Sequence, residues 1–170
     1  MIKAFNTRLA WIVILLTVTV SVVDTVRLYP QLPQNVASHF DAGGNPNGWG
    51  SKQSFVAIML GTLTGLAALG GVAEWMIRRG PRAMINVPHK DKWLAPEHEA
   101  STRADMAHTT VWIIAATTLF LAFMTHDALA ANLRDPVHMK SMWLTLTGLL
   151  ATVGWLTLRM TLRYRKPPTA

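Results

Sequence analysis

The chain reads as an all-α membrane protein: a four-transmembrane-helix bundle with both termini cytoplasmic and a shaped outer loop between helices 1 and 2. Three observations predict it. Apolar residues are gathered into uncharged runs, Leu9 to Val23, Phe55 to Ala73, Thr109 to Thr125 and Ser141 to Leu158. A helix of about 17 to 20 such residues matches a hydrocarbon core of roughly 30 Å, with a turn added where the run is short. Basic residues alternate between segments. Twelve of the sixteen Lys and Arg lie before the first run, between the second and third, or after the fourth, and four lie in the other two segments. By the positive-inside rule the richer segments are cytoplasmic. Finally, Trp11, Trp75, Trp112, Trp143 and Trp155 fall near predicted helix ends, as an aromatic belt requires.

Composition agrees with one integral membrane domain over residues 1–170. The chain is 51% hydrophobic and 15% charged, which leaves little charge for a soluble surface. The net charge of +7 is a topology signal that also touches anionic headgroups, so nucleic acid is not an expected partner. With no cysteine, a disulfide, a thiolate metal site and a cysteine nucleophile are excluded.

Helix 1 is expected over 9–26. Lys3 and Arg8 precede it, but Ser21-Val22-Val23-Asp24-Thr25 is a poor cleavage site, so it reads as a retained helix and not a signal peptide. Asp24 and Arg27 are expected to pair at the interface. The outer loop, 27–53, holds Pro30, Pro33 and Pro46, four glycines and an Asn47-Gly48 turn dipeptide, so it has no means of extending a helix. It also carries Tyr29, His39, Phe40 and Trp49, which a flexible linker would not need. Helix 2, 54–77, has Ala57, Gly61 and Gly65 at spacings of four, a face for close packing within this protein, and Glu74 placed to pair with Arg78.

The cytoplasmic loop, 78–108, opens irregularly around Pro88 and Trp93, with Trp93 expected at the membrane interface or capping the bundle floor. A helix then starts at Pro96, with Glu97 and Glu99 at its positive end and Glu99 spaced to Arg103 on a solvated face. It is expected to run into helix 3, 109–125. A third loop from His126 to Lys140 returns to the outer side, and helix 4, 141–162, ends in the basic tail.

Few chemical constellations stand out. His39, Asp41, His126, Asp127, Asp135 and His138 share the predicted outer face, and imidazole with carboxylate suits zinc or copper(II). None has a recognised ligand spacing, so His39, His126 and His138 are only weak metal candidates, and no cofactor is expected. A calcium loop fails, because Gly43 stands where the first Asp belongs and Ser54 where the bidentate Glu belongs. Phosphate-loop, dinucleotide and nucleophile-elbow motifs are missing.

The ordered residues Leu32-Pro33, Val36, His39-Phe40, Gly44, Pro46 and Gly48-Trp49-Gly50-Ser51-Lys52, between two membrane helices, resemble the signature of the domain of unknown function 1648. That domain forms the N-terminal part of SdpI-like bacterial membrane proteins. Asn86, Pro88, Lys90, Asp91, Trp93, Leu94, Pro96 and Glu97 resemble the cytoplasmic stretch that follows it in many small relatives. Ala37 stands where the family has Pro, and Asn47 where it has Asp. The resemblance implies an inner-membrane protein conferring immunity to a secreted peptide toxin. It makes Pro33, His39, Phe40, Asp41, Gly44, Pro46, Trp49 and Lys52 a recognition surface for an outer peptide or lipid. Asn86, Pro88, Asp91, Trp93, Pro96 and Glu97 become a relay to a protein partner in the membrane or cytoplasm. The expectation is a non-enzymatic immunity or sensing module. The alternatives are an accessory structural subunit of a larger membrane complex and a membrane metal-handling protein or enzyme.

Overall fold

The structure is a computed structural model that describes residues 6–140 and 142–168. Lys3 and Ser141, the expected first residue of helix 4, lie outside the described residues. Three helices are long and apolar enough to cross a membrane: α1 (Arg8–Leu28), α2 (Lys52–Arg79) and α4 (Pro96–Ala131). Between the last two lies α3, a single turn at Lys90–Trp93, and α5 (Trp143–Tyr164) closes the chain. The fourth expected span corresponds to α5, which has the length but is not among the three apolar enough; Arg159 and Arg163 fall within it.

α4 is the hub of the bundle. It packs on α1, α2 and α5, and α1 also meets α2. Ala10, Ile14, Val111 and Ala115 form a buried cluster between α1 and α4, and Gly70 on α2 lies against Ile114 on α4. Glu74, on α2, ties that helix to the start of α1, accepting from the Thr7 hydroxyl (2.8 Å), the Trp11 indole (2.6 Å) and, as expected, Arg78 (2.8 Å).

Sequence and structure part at several points. The shaped loop contains a 3-10 turn, Tyr29–Gln31, and then two antiparallel strands, β1 (Asn35–Phe40) and β2 (Pro46–Ser51). Asn47-Gly48, expected as a turn, lies inside β2, and the chain reverses at residues 41–45 instead. α4 continues past Thr125 to Ala131, so His126 and Asp127 belong to a helix and not to the third loop. Asp24 pairs with His126 at 2.7 Å instead of with Arg27. Among the described residues the Gly61 and Gly65 face packs on nothing: a Cβ at either position would have no neighbour within 4 Å. Glu99 does bond Arg103 at 2.8 Å, but Arg103 is 9% exposed and also donates to the Ile77 carbonyl at 2.7 Å, so this face is not solvated.

Candidate functional site

The hairpin is built by side chains as much as by its ladder. Asp41 N–H bonds the Asn45 carbonyl at 2.9 Å, and one Asp41 carboxylate oxygen accepts from the amides of Gly43 (2.9 Å) and Asn45 (2.8 Å). This is an Asx-type turn, in which a short side chain stands in for the backbone. The amide of Asn45, then its side chain, hold the Asp41 carboxyl below the usual carboxylate range. Gly44 follows at φ 89°, left-handed backbone that glycine adopts without strain. Its carbonyl accepts from Met139 N at 2.9 Å, and a Cβ there would stand 2.2 Å from the Met139 carbonyl. The tip is thereby tied to the segment between α4 and α5.

β1 is held to the bundle by Asn132, the C-cap of α4. Its side-chain oxygen accepts from Ala37 N at 2.7 Å. Its amide nitrogen donates to Ala37 O at 3.0 Å and Ala128 O at 2.9 Å. A buried side chain thus extends the sheet by one position beyond β1. Leu32, Val36, Phe55, Leu129 and Met139 pack beneath; burying each large apolar side chain contributes about 1.5–3 kcal/mol against exposure to water. β2 passes directly into α2, where Ser51 caps the helix by accepting from Ser54 N at 3.2 Å. Lys52 closes the base of the hairpin, donating to Leu32 O at 3.2 Å and lying 4.8 Å from the centre of the Tyr29 ring.

Of the expected recognition residues, Pro33, His39, Asp41 and Trp49 are exposed, Phe40, Pro46 and Lys52 are half-buried, and Gly44 is buried. Trp49, at 52% exposure, is a large aromatic presented on β2. His39, Phe40, Asp41 and Gly44 line a cleft of about 230 Å³ with Met139 and Lys140. His138 lies against Gly44, whereas His126 is joined to Asp24. Among the described residues, no group of three or more His, Asp or Glu is placed to hold a metal ion.

At the other end of the bundle, Ile85, Val87 and Leu94 bury against Tyr164 from α5, and the Trp93 ring meets Tyr164 edge-on at 5.0 Å. Trp93 caps this end, and Thr102 donates to its carbonyl at 2.9 Å. Asn86, Pro88, Asp91, Pro96 and Glu97 are exposed around it. Arg82 pairs with Glu99. Beneath lies Asp105, fully buried. Its carboxylate accepts from Arg159 at 2.8 Å and from the Tyr164 hydroxyl at 3.0 Å, and lies 3.1 Å from Arg163 Nε. Arg159 and Arg163, counted in the sequence only among the basic residues after the fourth apolar run, therefore clamp α5 to α4.

Residues 12–64 match the family described as Domain of unknown function (DUF1648). The DUF1648 domain takes in most of α1, the whole hairpin and the first half of α2. α4 and α5, which supply Asn132, Asp105 and Tyr164, lie outside it. No curated protein and no solved structure matches the chain. The protein is a multi-pass membrane protein carrying a DUF1648 domain.

Asn132, Met139, Asp105 and Tyr164 carry geometry that sequence reasoning missed. Asn132 had a signal, since Asn just past an apolar helix is a C-cap residue. Asp105 had none beyond being an acid among Ala, Met and Thr.

Proposed function

We propose that the protein is a non-enzymatic module of the SdpI-like type, in the bacterial inner membrane. It recognises an extracytoplasmic peptide or lipid on the hairpin and relays that event to the cytoplasm. In this reading α5 crosses as a fourth span, both termini and the loop of residues 80–95 are inside, and the hairpin is outside. Immunity to a secreted peptide toxin is the form of this activity that the resemblance favours.

The observation that carries the reading is α4. One unbroken helix of 36 residues holds the hairpin at one end through Asn132, and at the other the basic loop through Thr102 and α5 through Asp105. At 1.5 Å per residue it reaches about 54 Å, so a tilt or shift at one end is felt at the other. The exposed Trp49 on β2 fits recognition, because aromatic side chains supply much contact area at low entropic cost. A second reading, an accessory subunit of a larger complex, is favoured by the open Gly61 and Gly65 face.

The test is survival of cells carrying wild-type protein or Trp49→Ala, at equal membrane levels, when challenged with secreted peptide toxins. Wild type should protect and Trp49→Ala should not. A photo-crosslinking residue in place of Trp49 should capture a peptide or lipid in intact cells. Equal survival without any captured species would leave the subunit reading.

A further inference from the structure

α1 and α4 are sealed together around Ile14 and Val111, but toward the hairpin end they leave between them a groove of about 430 Å³. Leu16, Val20, Leu119 and Phe123 line it, each exposed in the bundle. Hydroxyls along it are satisfied by their own helices: Ser21 donates to Thr17 O at 2.9 Å and Thr125 to Leu121 O at 2.8 Å. Asp24 and His126 stand at the mouth, with His126 Nδ1 2.7 Å from Asp24 Oδ2. That bond uses Asp24 Oδ2 and leaves the second carboxylate oxygen, Oδ1, as an acceptor. Among the described residues neither group has another hydrogen-bond or ion-pair partner.

We propose that this groove holds one acyl chain of an amine-headed phospholipid, phosphatidylethanolamine, with its ammonium on the Asp24 carboxylate, which His126 holds in place. The chemistry of the mouth selects the head. An ammonium has donors only and meets a carboxylate oxygen. Phosphatidylglycerol has no ammonium to place there, and its phosphate is repelled by the carboxylate. The geometry selects the chain. From Asp24 back to Leu16 the groove follows the helix for about 12 Å, toward the hydrocarbon interior and along the direction in which lipid chains lie.

Native mass spectrometry of the full chain, released from nanodiscs of equal phosphatidylethanolamine and phosphatidylglycerol, tests the proposal with wild type, Asp24→Asn and Ala122→Trp. Wild type should retain one phosphatidylethanolamine in about tenfold preference to phosphatidylglycerol, the effect of roughly one charge-assisted hydrogen bond. Asp24→Asn keeps a partner for His126 and should erase the preference. Ala122→Trp should reduce retained lipid of either kind while the Asp24–His126 pair stays intact. Equal retention of both lipids by wild type overturns the proposal, as does an undiminished preference in Asp24→Asn. A second copy or another chain found covering the groove overturns it too.

Discussion

Asn132 is the residue on which the hairpin depends. Replacing it with Ala leaves the Ala37 amide and carbonyl, both buried, without partners, which costs about 1–3 kcal/mol. The expected result is a lower melting temperature in detergent, with loss of protection centred on β1. Asp105→Ala is the counterpart at the other end. It removes the carboxylate shared by Arg159, Arg163 and Tyr164, and breaking a buried charge pair costs about 3–5 kcal/mol. Proteolysis should then release α5 before the other helices. Asp41 gives a pH dependence whose sign follows from its lowered folded-state pKa. Its contribution to the turn is present above the ordinary carboxylate range and lost as pH falls through the folded value. Asp41→Asn should remove that acid-side loss, read as the amide exchange of residues 41–45 across pH.

Among the elements, the long helices were legible and the hairpin was not. Apolar runs of the length of a bilayer leave little room for another reading, and Pro96 with Glu97 and Glu99 marked the start of α4. Its far end was misplaced because His126 and Asp127 look like loop residues until Asp24 is seen across from them on α1. β2 contains Gly48, Gly50 and a leading proline, all poor strand formers, and the register slips twice opposite Ala37, His39 and Phe40. Strand structure there comes from tertiary ties to Asn132 and Met139, which no local pattern announces. The same contrast separates two glycines. Gly44→Ala should destabilise the hairpin, because of its positive φ and the Met139 carbonyl, whereas Gly61→Ala should leave the isolated protein as stable as wild type. If the subunit reading holds, Gly61→Leu should dissociate the complex without unfolding this chain; thermal melts and co-purification measure the two effects.

At the scale of the whole molecule, the path of the chain places residues 80–95 and Tyr164 together at one end and the hairpin at the other. In the proposed topology these two ends lie on opposite sides of the membrane and the chain crosses an even number of times. Because the chain has no cysteine, single cysteines report it cleanly. Asn47→Cys should react with a membrane-impermeant maleimide in intact cells. Lys92→Cys and Lys166→Cys should react only after lysis. Reaction of Lys166→Cys in intact cells would mean that α5 does not cross.

Coupling along α4 is the central claim, and hydrogen exchange of the full chain in nanodiscs, wild type against Asn132→Ala, tests it most directly. Faster exchange both in the hairpin and in residues 85–94, at the opposite end of α4, is the predicted result. Faster exchange confined to the hairpin, with residues 85–94 unchanged, would contradict it.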